Sequence, residues 1–290
     1  MAEGNSMPYS VICALMCLAA AIPPVYAQNR DSKPERIVCL GDSITDGHSY
    51  LLLARQGLRA SGKAVPVFIN AGISGDTAAD MARRIERDVL PHSPTLVTIS
   101  AGINDAWRGV SASNYEHAII AIISRLKTNG IPAVILTTSI LTDRHPAPKS
   151  RLVEFNALLL KLAAPNSCRI ADVNRLMQAA ADKGENLLEA DAIHPNLAGH
   201  RIMARALLDA LGFPDVAVPD AITPELLPGV ITQWRFLAVT NRADIKLEAL
   251  QVASMKSDGE GWKSYQLPET LPADTWWYEQ ERRRGFATRL

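Results

Sequence analysis

Val38-Cys39-Leu40-Gly41-Asp42-Ser43-Ile44-Thr45 is the stretch whose reading decides the fold. Ile37 to Leu40 is a short apolar run stopped by a glycine, which reads as a buried strand. The chain must turn at Gly41, and Tyr50 to Ala60 follows as a helix with Leu51, Leu52 and Leu58 on its apolar side. Strand, tight turn and helix in that order open a parallel α/β sheet. A serine at the carboxyl end of the first strand sits where open α/β sheets build their sites. Taken alone, Gly-Asp-Ser is also an ordinary turn, since all three residue types favour turns.

Working outward, the same alternation repeats. Strands are predicted over Arg36 to Leu40, Val65 to Ile69, Leu96 to Ser100, Ala133 to Thr137 and Cys168 to Ala171. Between them lie helical patterns. Thr77 to Val89 starts at the capping types Asp76-Thr77 and carries a charged face of Arg83, Arg84, Glu86, Arg87 and Asp88. Tyr115 to Lys127 is the clearest helix, with Ala118, Ile119, Ile122, Ile123 and Leu126 at helical spacing. Leu152 to Leu162, Val173 to Ala181 and Leu197 to Leu211 complete the set. This pattern means a parallel sheet with helices on both faces, a three-layer α/β fold.

Three further stretches each follow a predicted strand: Asn70-Ala71-Gly72, Gly102-Ile103-Asn104-Asp105 and Asp191-Ala192-Ile193-His194-Pro195-Asn196. With Gly41-Asp42-Ser43 they resemble the GDSL family of the SGNH hydrolases, serine esterase and lipase-like acylhydrolases named for Ser, Gly, Asn and His in that order. Any one block is weak; four in order at these spacings are specific. The resemblance runs from Arg36 to Leu211 and leaves out the last eighty or so residues. It implies a flavodoxin-like five-stranded sheet in the order 2-1-3-4-5, which periodicity alone cannot choose.

The chemistry follows from residue types. A free serine hydroxyl is a weak nucleophile and needs an adjacent base. His194 is the one histidine in a loop with a nearby acid, Asp191, which can accept the ring N–H and fix the tautomer that faces Ser43. Pro195 restricts His194 to extended backbone. The plain alternative for His194 is an exposed turn histidine; His48, His92, His117, His145 and His200 have no such company. The resemblance implies three oxyanion donors: the Ser43 and Gly72 backbone N–H groups and the Asn104 side-chain amide. The plain alternatives are a turn at Gly72 and an Asx turn from Asn104 to Asp105. Asn70 and Asp76 are read as organising the loop, and Asp42 as ordering the serine turn. The family's histidine block often has glycine where Ala192 stands, and a side chain there is expected to be tolerable only at negative φ. No His, Cys or carboxylate group has metal-ligand spacing, and there is no phosphate-binding glycine loop, so neither metal nor cofactor is expected.

Acids and bases balance at 30 each, so nothing points to nucleic acid. Residues 1–27 read as a signal peptide: Val11 to Ile22 is an apolar run too short to span a bilayer, and Val25-Tyr26-Ala27 is a small-x-small cleavage site. Its flank lacks Lys and Arg, and Glu3 stands there instead. Export to a periplasmic or extracellular space is the expectation, without stable membrane insertion after cleavage. Cys39 and Cys168 lie in apolar contexts that favour buried thiols; a disulfide is the alternative in an exported chain. Residues 28–212 form the catalytic domain, and 213–290 an extension packed on it. Pro214, Pro219, Pro224 and Pro228 break long elements there. Trp234 to Val239 reads as a strand and Ile245 to Met255 as helix or strand. Trp262, Trp276, Trp277 and Tyr278 supply aromatic surface to bury.

Three functions compete on this sequence. The first is an exported serine esterase removing small acyl groups, acetyl foremost, from a carbohydrate, its substrate a small-molecule or polysaccharide ester. The second is a lysophospholipase or broad esterase/thioesterase. The third is a non-catalytic carbohydrate binder on a hydrolase scaffold, against which the full Ser, Gly, Asn, Asp and His set argues. Oligomeric state is not legible.

Overall fold

A computed structural model of the 290-residue chain describes residues 35–223 and, beyond them, three strands within residues 234–266. The central sheet is parallel: β1 (Arg36–Gly41), β2 (Val67–Gly72), β3 (Leu96–Ser100), β4 (Ala133–Leu136) and β5 (Arg169–Ala171), in the order β2-β1-β3-β4-β5. This is the flavodoxin-like order expected from the resemblance. β1 lies inside, with Cys39 opposite both Asn70 and Thr98. Ile37 to Leu40 are fully buried, as a strand covered on both faces must be. The chain steps from β1 outward to β2 and then back across to β3, so the ends of β1 and β3 flank the topological switch point.

The helices are α1 (Ser43–Asp46), α2 (Ser49–Ala60), α3 (Ala78–Arg83), α4 (Ile85–Asp88), α5 (Ile103–Trp107), α6 (Ala112–Thr128), α7 (Pro146–Ala163), α8 (Val173–Ala181) and α9 (Leu197–Ala210). Packing runs α2–α9–α8 in one layer and α3–α6–α7–α5 in the other. α6 illustrates why these sequences fold so. Ser111 caps it by accepting the Asn114 N–H, and Tyr115, Ile119, Ile122, Ile123 and Leu126 point inward. Each such side chain contributes about 1.5–3 kcal/mol on burial. Arg125 and Lys127 in the last turn complement the helix dipole.

Three expectations are corrected. β2 continues to Gly72, because Asn70, Ala71 and Gly72 pair with Cys39, Leu40 and Gly41; that block ends the strand instead of following it. The helix expected over Thr77 to Val89 is two, α3 and α4, broken at Arg84, whose φ of −108° and ψ of 6° are not helical. Arg84 and Asp88 do not join a solvated face. Both are buried, because they pair with each other and with groups beneath the break.

Cys39 and Cys168 are free thiols, and burial pushes the Cys39 thiol up to about 12. Residues 213–223 run along α2 and α9: Arg205 donates to the Phe213 and Val216 carbonyls, and Gln56 exchanges hydrogen bonds with the Thr223 backbone. The segment read as helix or strand is a strand, β7 (Asp244–Ala253), pairing antiparallel with β6 (Trp234–Asn241) and β8 (Trp262–Gln266). The leader at 1–27 and the aromatics Trp276, Trp277 and Tyr278 lie outside the described residues. No helix among the described residues is long and apolar enough to cross a membrane.

Candidate active site

Ser43 opens α1 immediately after β1 and is half-buried. Four residues cannot sustain a helix by themselves, so side chains hold this one. Asp42 caps it, its Oδ1 accepting the Ile44 N–H at 3.0 Å. Asn70 Nδ2 donates to the Thr45 carbonyl at 2.7 Å, and the Thr45 and Tyr50 hydroxyls share a hydrogen bond of 3.0 Å. Asp42 thus orders the turn, as its sequence suggested. Burial pushes its carboxyl up to about 7, against the opposing Ile44 N–H bond. Burial does the same to Asp46, also to about 7, opposed by the Arg84 charge.

His194 reaches Ser43 from the far end of the chain. Its Nε2 lies 2.9 Å from Ser43 Oγ, and its Nδ1 lies 2.7 Å from Asp191 Oδ2. A proton on Nδ1 lets the ring donate to Asp191 and accept from Ser43. Asp191 Oδ1 accepts the Ile193 and His194 backbone N–H groups at 2.9 and 3.0 Å. Partial burial raises the Asp191 carboxyl, but the bonds from His194 and Ile193 outweigh it and hold the group below the usual carboxylate range.

The loop that carries the pair closes on itself. Leu188 bridges Pro195, and the Glu189 N–H donates to the His194 carbonyl at 2.8 Å. From outside, Arg144 Nη1 donates to the Ala190 carbonyl at 2.8 Å and His145 Nε2 bonds the Asp191 carbonyl at 3.1 Å. Ala192 overturns its expectation: its φ is +59°, in the left-handed region. The Ala192 N–H donates to the Glu189 carbonyl at 2.9 Å, so the tight turn imposes this conformation. For a residue with a Cβ, that costs about 1–2 kcal/mol.

Asn104 lies on α5, beyond β3. Its Nδ2 donates one hydrogen to the Asp76 carbonyl at 3.0 Å, which leaves the second for a ligand. Asp105 is buried, and both its oxygens accept the Ala78 N–H, capping α3 from another element; burial pushes its carboxyl up to about 6. The Ala106 N–H donates to the Gly102 carbonyl at 2.9 Å and not to the Asn104 side chain, so Asn104 makes no Asx turn.

Gly72 does not fit the role expected for it. Its N–H is spent on Asn70 Oδ1 at 2.8 Å, in a buried position. Its Cα faces the backbone of Thr45 and Asp46, where no Cβ would fit. Gly72 is glycine for packing. Three residues on, Gly75 has φ +87°, its carbonyl is held by Arg108 Nη2 at 2.7 Å, and its N–H meets no acceptor among the described residues. The Ser43 N–H likewise meets none. Sequence reasoning passed over Gly75, although a glycine just ahead of the Asp76-Thr77 helix start was a visible signal. It also misplaced Arg84. No group of three or more His, Cys, Asp or Glu among the described residues could hold a metal ion.

A flavodoxin-like sheet carrying a hydrogen-bonded serine, histidine and aspartate at its carboxyl edge has the architecture of a serine ester hydrolase. Residues 39–202 match the model of the GDSL-like Lipase/Acylhydrolase family, and the chain belongs to that family. It is a carboxylic ester hydrolase, like the named esterases it resembles. An acetylxylan esterase of Geobacillus stearothermophilus is 27% identical over 207 residues, covering 62% of this chain and 94% of that protein. An arylesterase of Vibrio mimicus is 32% identical over 108 residues, 35% of this chain and 54% of that one. Among solved structures, a variant of the Geobacillus stearothermophilus acetyl xylan esterase has a TM-score of 0.58 at 25% identity, over 63% of this chain and 97% of that one. An α/β hydrolase from the metagenome of Lake Arreo has a TM-score of 0.56 at 28% identity, over 62% and 96%.

Proposed function

We propose that the protein removes short acyl groups, acetyl foremost, from carbohydrate esters by way of an acyl-enzyme on Ser43. The observation that carries this reading is the unbroken line from Ser43 Oγ through His194 to Asp191, with bonds of 2.9 and 2.7 Å. Ser43 Oγ attacks the ester carbonyl while His194 Nε2 takes its proton. Asp191 holds the imidazole in the required tautomer and stabilises the imidazolium that forms. The oxyanion of the tetrahedral intermediate takes hydrogen bonds from the Ser43 and Gly75 N–H groups and from Asn104 Nδ2. The intermediate collapses, the alcohol leaves with the proton from His194, and the acyl group stays on Ser43. Water then repeats the sequence and frees the acid.

The acetyl and carbohydrate parts draw on the acetylxylan esterase relative, nearly all of whose length this chain matches. Export rests on the leader read in residues 1–27. A second reading, a broad acyl esterase or thioesterase, draws on the arylesterase and on the esterase TesA of Pseudomonas aeruginosa, 25% identical over 171 residues. Hydrolysis of p-nitrophenyl esters from acetyl to palmitoyl, with acetylated xylan and pectin alongside, separates the two. The first reading expects the acetyl ester to be fastest, acetate release from xylan, and rates unchanged by EDTA. A maximum at long chains, with acetylated xylan untouched, replaces it with the second.

A further inference from the structure

We infer that Arg84 is a positioning residue that clamps the Ser43 turn to the loop carrying Gly75 and Asp76, fixing the nucleophile relative to the oxyanion donors. The inference rests on the site proposed above. Three observations carry it.

The first is connectivity. One buried guanidinium donates from Nη2 to the Gly41 carbonyl at 2.9 Å, from Nε to Asp76 Oδ2 at 2.6 Å and from Nη1 to Asp88 Oδ2 at 3.3 Å. Gly41 stands two residues before Ser43, and its carbonyl also accepts the Ile73 N–H at 3.0 Å. Asp76 follows Gly75, and its own carbonyl holds Asn104 at 3.0 Å. Thus Arg84 touches none of the reacting groups, yet it joins the turn before the nucleophile to the segment that orients two of the three donors.

The second is redundancy. Asp88 already has a cation: Arg87 bonds both its oxygens at 2.6 Å. Neutralising Asp88 therefore does not require Arg84. What only Arg84 supplies is the pair of bonds to Gly41 and Asp76.

The third is cost. A buried guanidinium is expensive to desolvate, and an apolar residue of similar volume would often fold as well or better. The helix also breaks at Arg84, with φ −108° and ψ 6°, which gives up helical hydrogen bonding where the side chain turns inward. Stability alone does not account for this arrangement, whereas a geometric task does. A planar fork of fixed shape can serve a carbonyl and a carboxylate together, and an ammonium on a flexible stem cannot reproduce it. Misplacement of catalytic groups by about 1 Å can cost about 10²-fold in rate.

The test is Arg84→Lys in the full chain, with kcat counted per reactive serine by fluorophosphonate titration, and melting temperature measured alongside. The expected result is kcat lower by roughly 10- to 100-fold with KM within about threefold. Affinity for phenylboronic acid, which forms a tetrahedral adduct on serine, should fall in step with kcat. A kcat within twofold of wild type overturns the inference, whatever the melting temperature does. If Arg84→Lys does not fold, Asp76→Asn decides: it removes the charge that orients the fork, and kcat should fall about tenfold with KM unchanged. An unchanged kcat there overturns the inference as well. Ser43→Ala serves as the control. If it stays active, the proposed site itself is wrong; if it is inactive while Arg84→Lys is fully active, only the role of Arg84 fails.

Discussion

The turn that carries Ser43 is held from afar, by Asn70 at a sequence separation of 25 and by Arg84 at 43. The loop that carries Asp191 and His194 is held largely from within, by the Leu188–Pro195 bridge and by Asp191 bonding the next residues' N–H groups. The first half is buried and places its carboxyls in a medium that resists charge: Asp42 and Asp46 are both pushed up to about 7. The second half is wetter. The Asp191 side chain is 43% exposed, and its carboxyl is held low. One reacting line therefore joins a rigid, poorly solvated half to a locally folded, solvated one. On the proposed mechanism, the solvated half keeps its carboxylate charged opposite the imidazolium, while the buried half keeps the nucleophile and the donors still.

The largest way to break this comparison is Ser43→Ala. It should leave the fold intact and lower kcat by about four to six orders of magnitude. Activity within tenfold of wild type would remove Ser43, and with it the distinction between the halves. Next is Asn104→Ala in the buried half, expected to cost about 10²–10³ in kcat with modest change in KM, since an oxyanion donor acts on the transition state. A loss wholly in KM would make Asn104 a substrate-binding residue.

The pH dependence of stability sharpens the contrast, because the two halves have opposite signs. Asp42 has a folded pKa of about 7, above its unfolded value of about 3.9, so the folded state holds the extra proton between them. Its cost is absent below about pH 4 and complete above about pH 7. Asp42→Asn keeps a capping side chain and should raise stability at pH 8.5 by about 1–3 kcal/mol, with little effect at pH 4. Asp191 has a depressed folded pKa, so its contribution is present above the unfolded pKa and is lost as pH falls through the folded one. Urea melts of wild type and Asp42→Asn at the two pH values check the first sign; equal shifts at both would refute it. The smallest expected effect is Ala192→Gly. Relief of the left-handed strain, offset by greater freedom of the unfolded chain, should stabilise by about 0.5–1 kcal/mol with kcat unchanged. A destabilised variant would mean that the turn does not strain Ala192.

The same division explains what the sequence disclosed. Asp191 and His194 are three residues apart and bond each other at 2.7 Å, so a local pattern is enough to pair them. The apolar runs of β1 and β3 are equally local. Gly72 and Arg84 failed for the opposite reason. Whether a backbone N–H is free or spent on Asn70 depends on a strand that ends three residues later than turn-forming residue types suggest. Whether an arginine faces water or Gly41 depends on a helix break that charge patterning does not record. Ala192 failed because backbone sterics favour negative φ, and a closed turn overrode them.

One consequence concerns engineering. The Asn196 N–H donates to the Leu187 carbonyl at 3.0 Å, so the acid–base loop begins and ends at points already fastened together. Those two residues are natural splice points. Positions 189, 190, 192 and 193 between them can be varied in charge and size, provided that Asp191 and His194 and the spacing between them are kept. The stretch around Ser43 offers no such seam, because its fastenings run through three other parts of the chain. Libraries that recast this enzyme's substrate range should therefore be cut at Leu187 and Asn196.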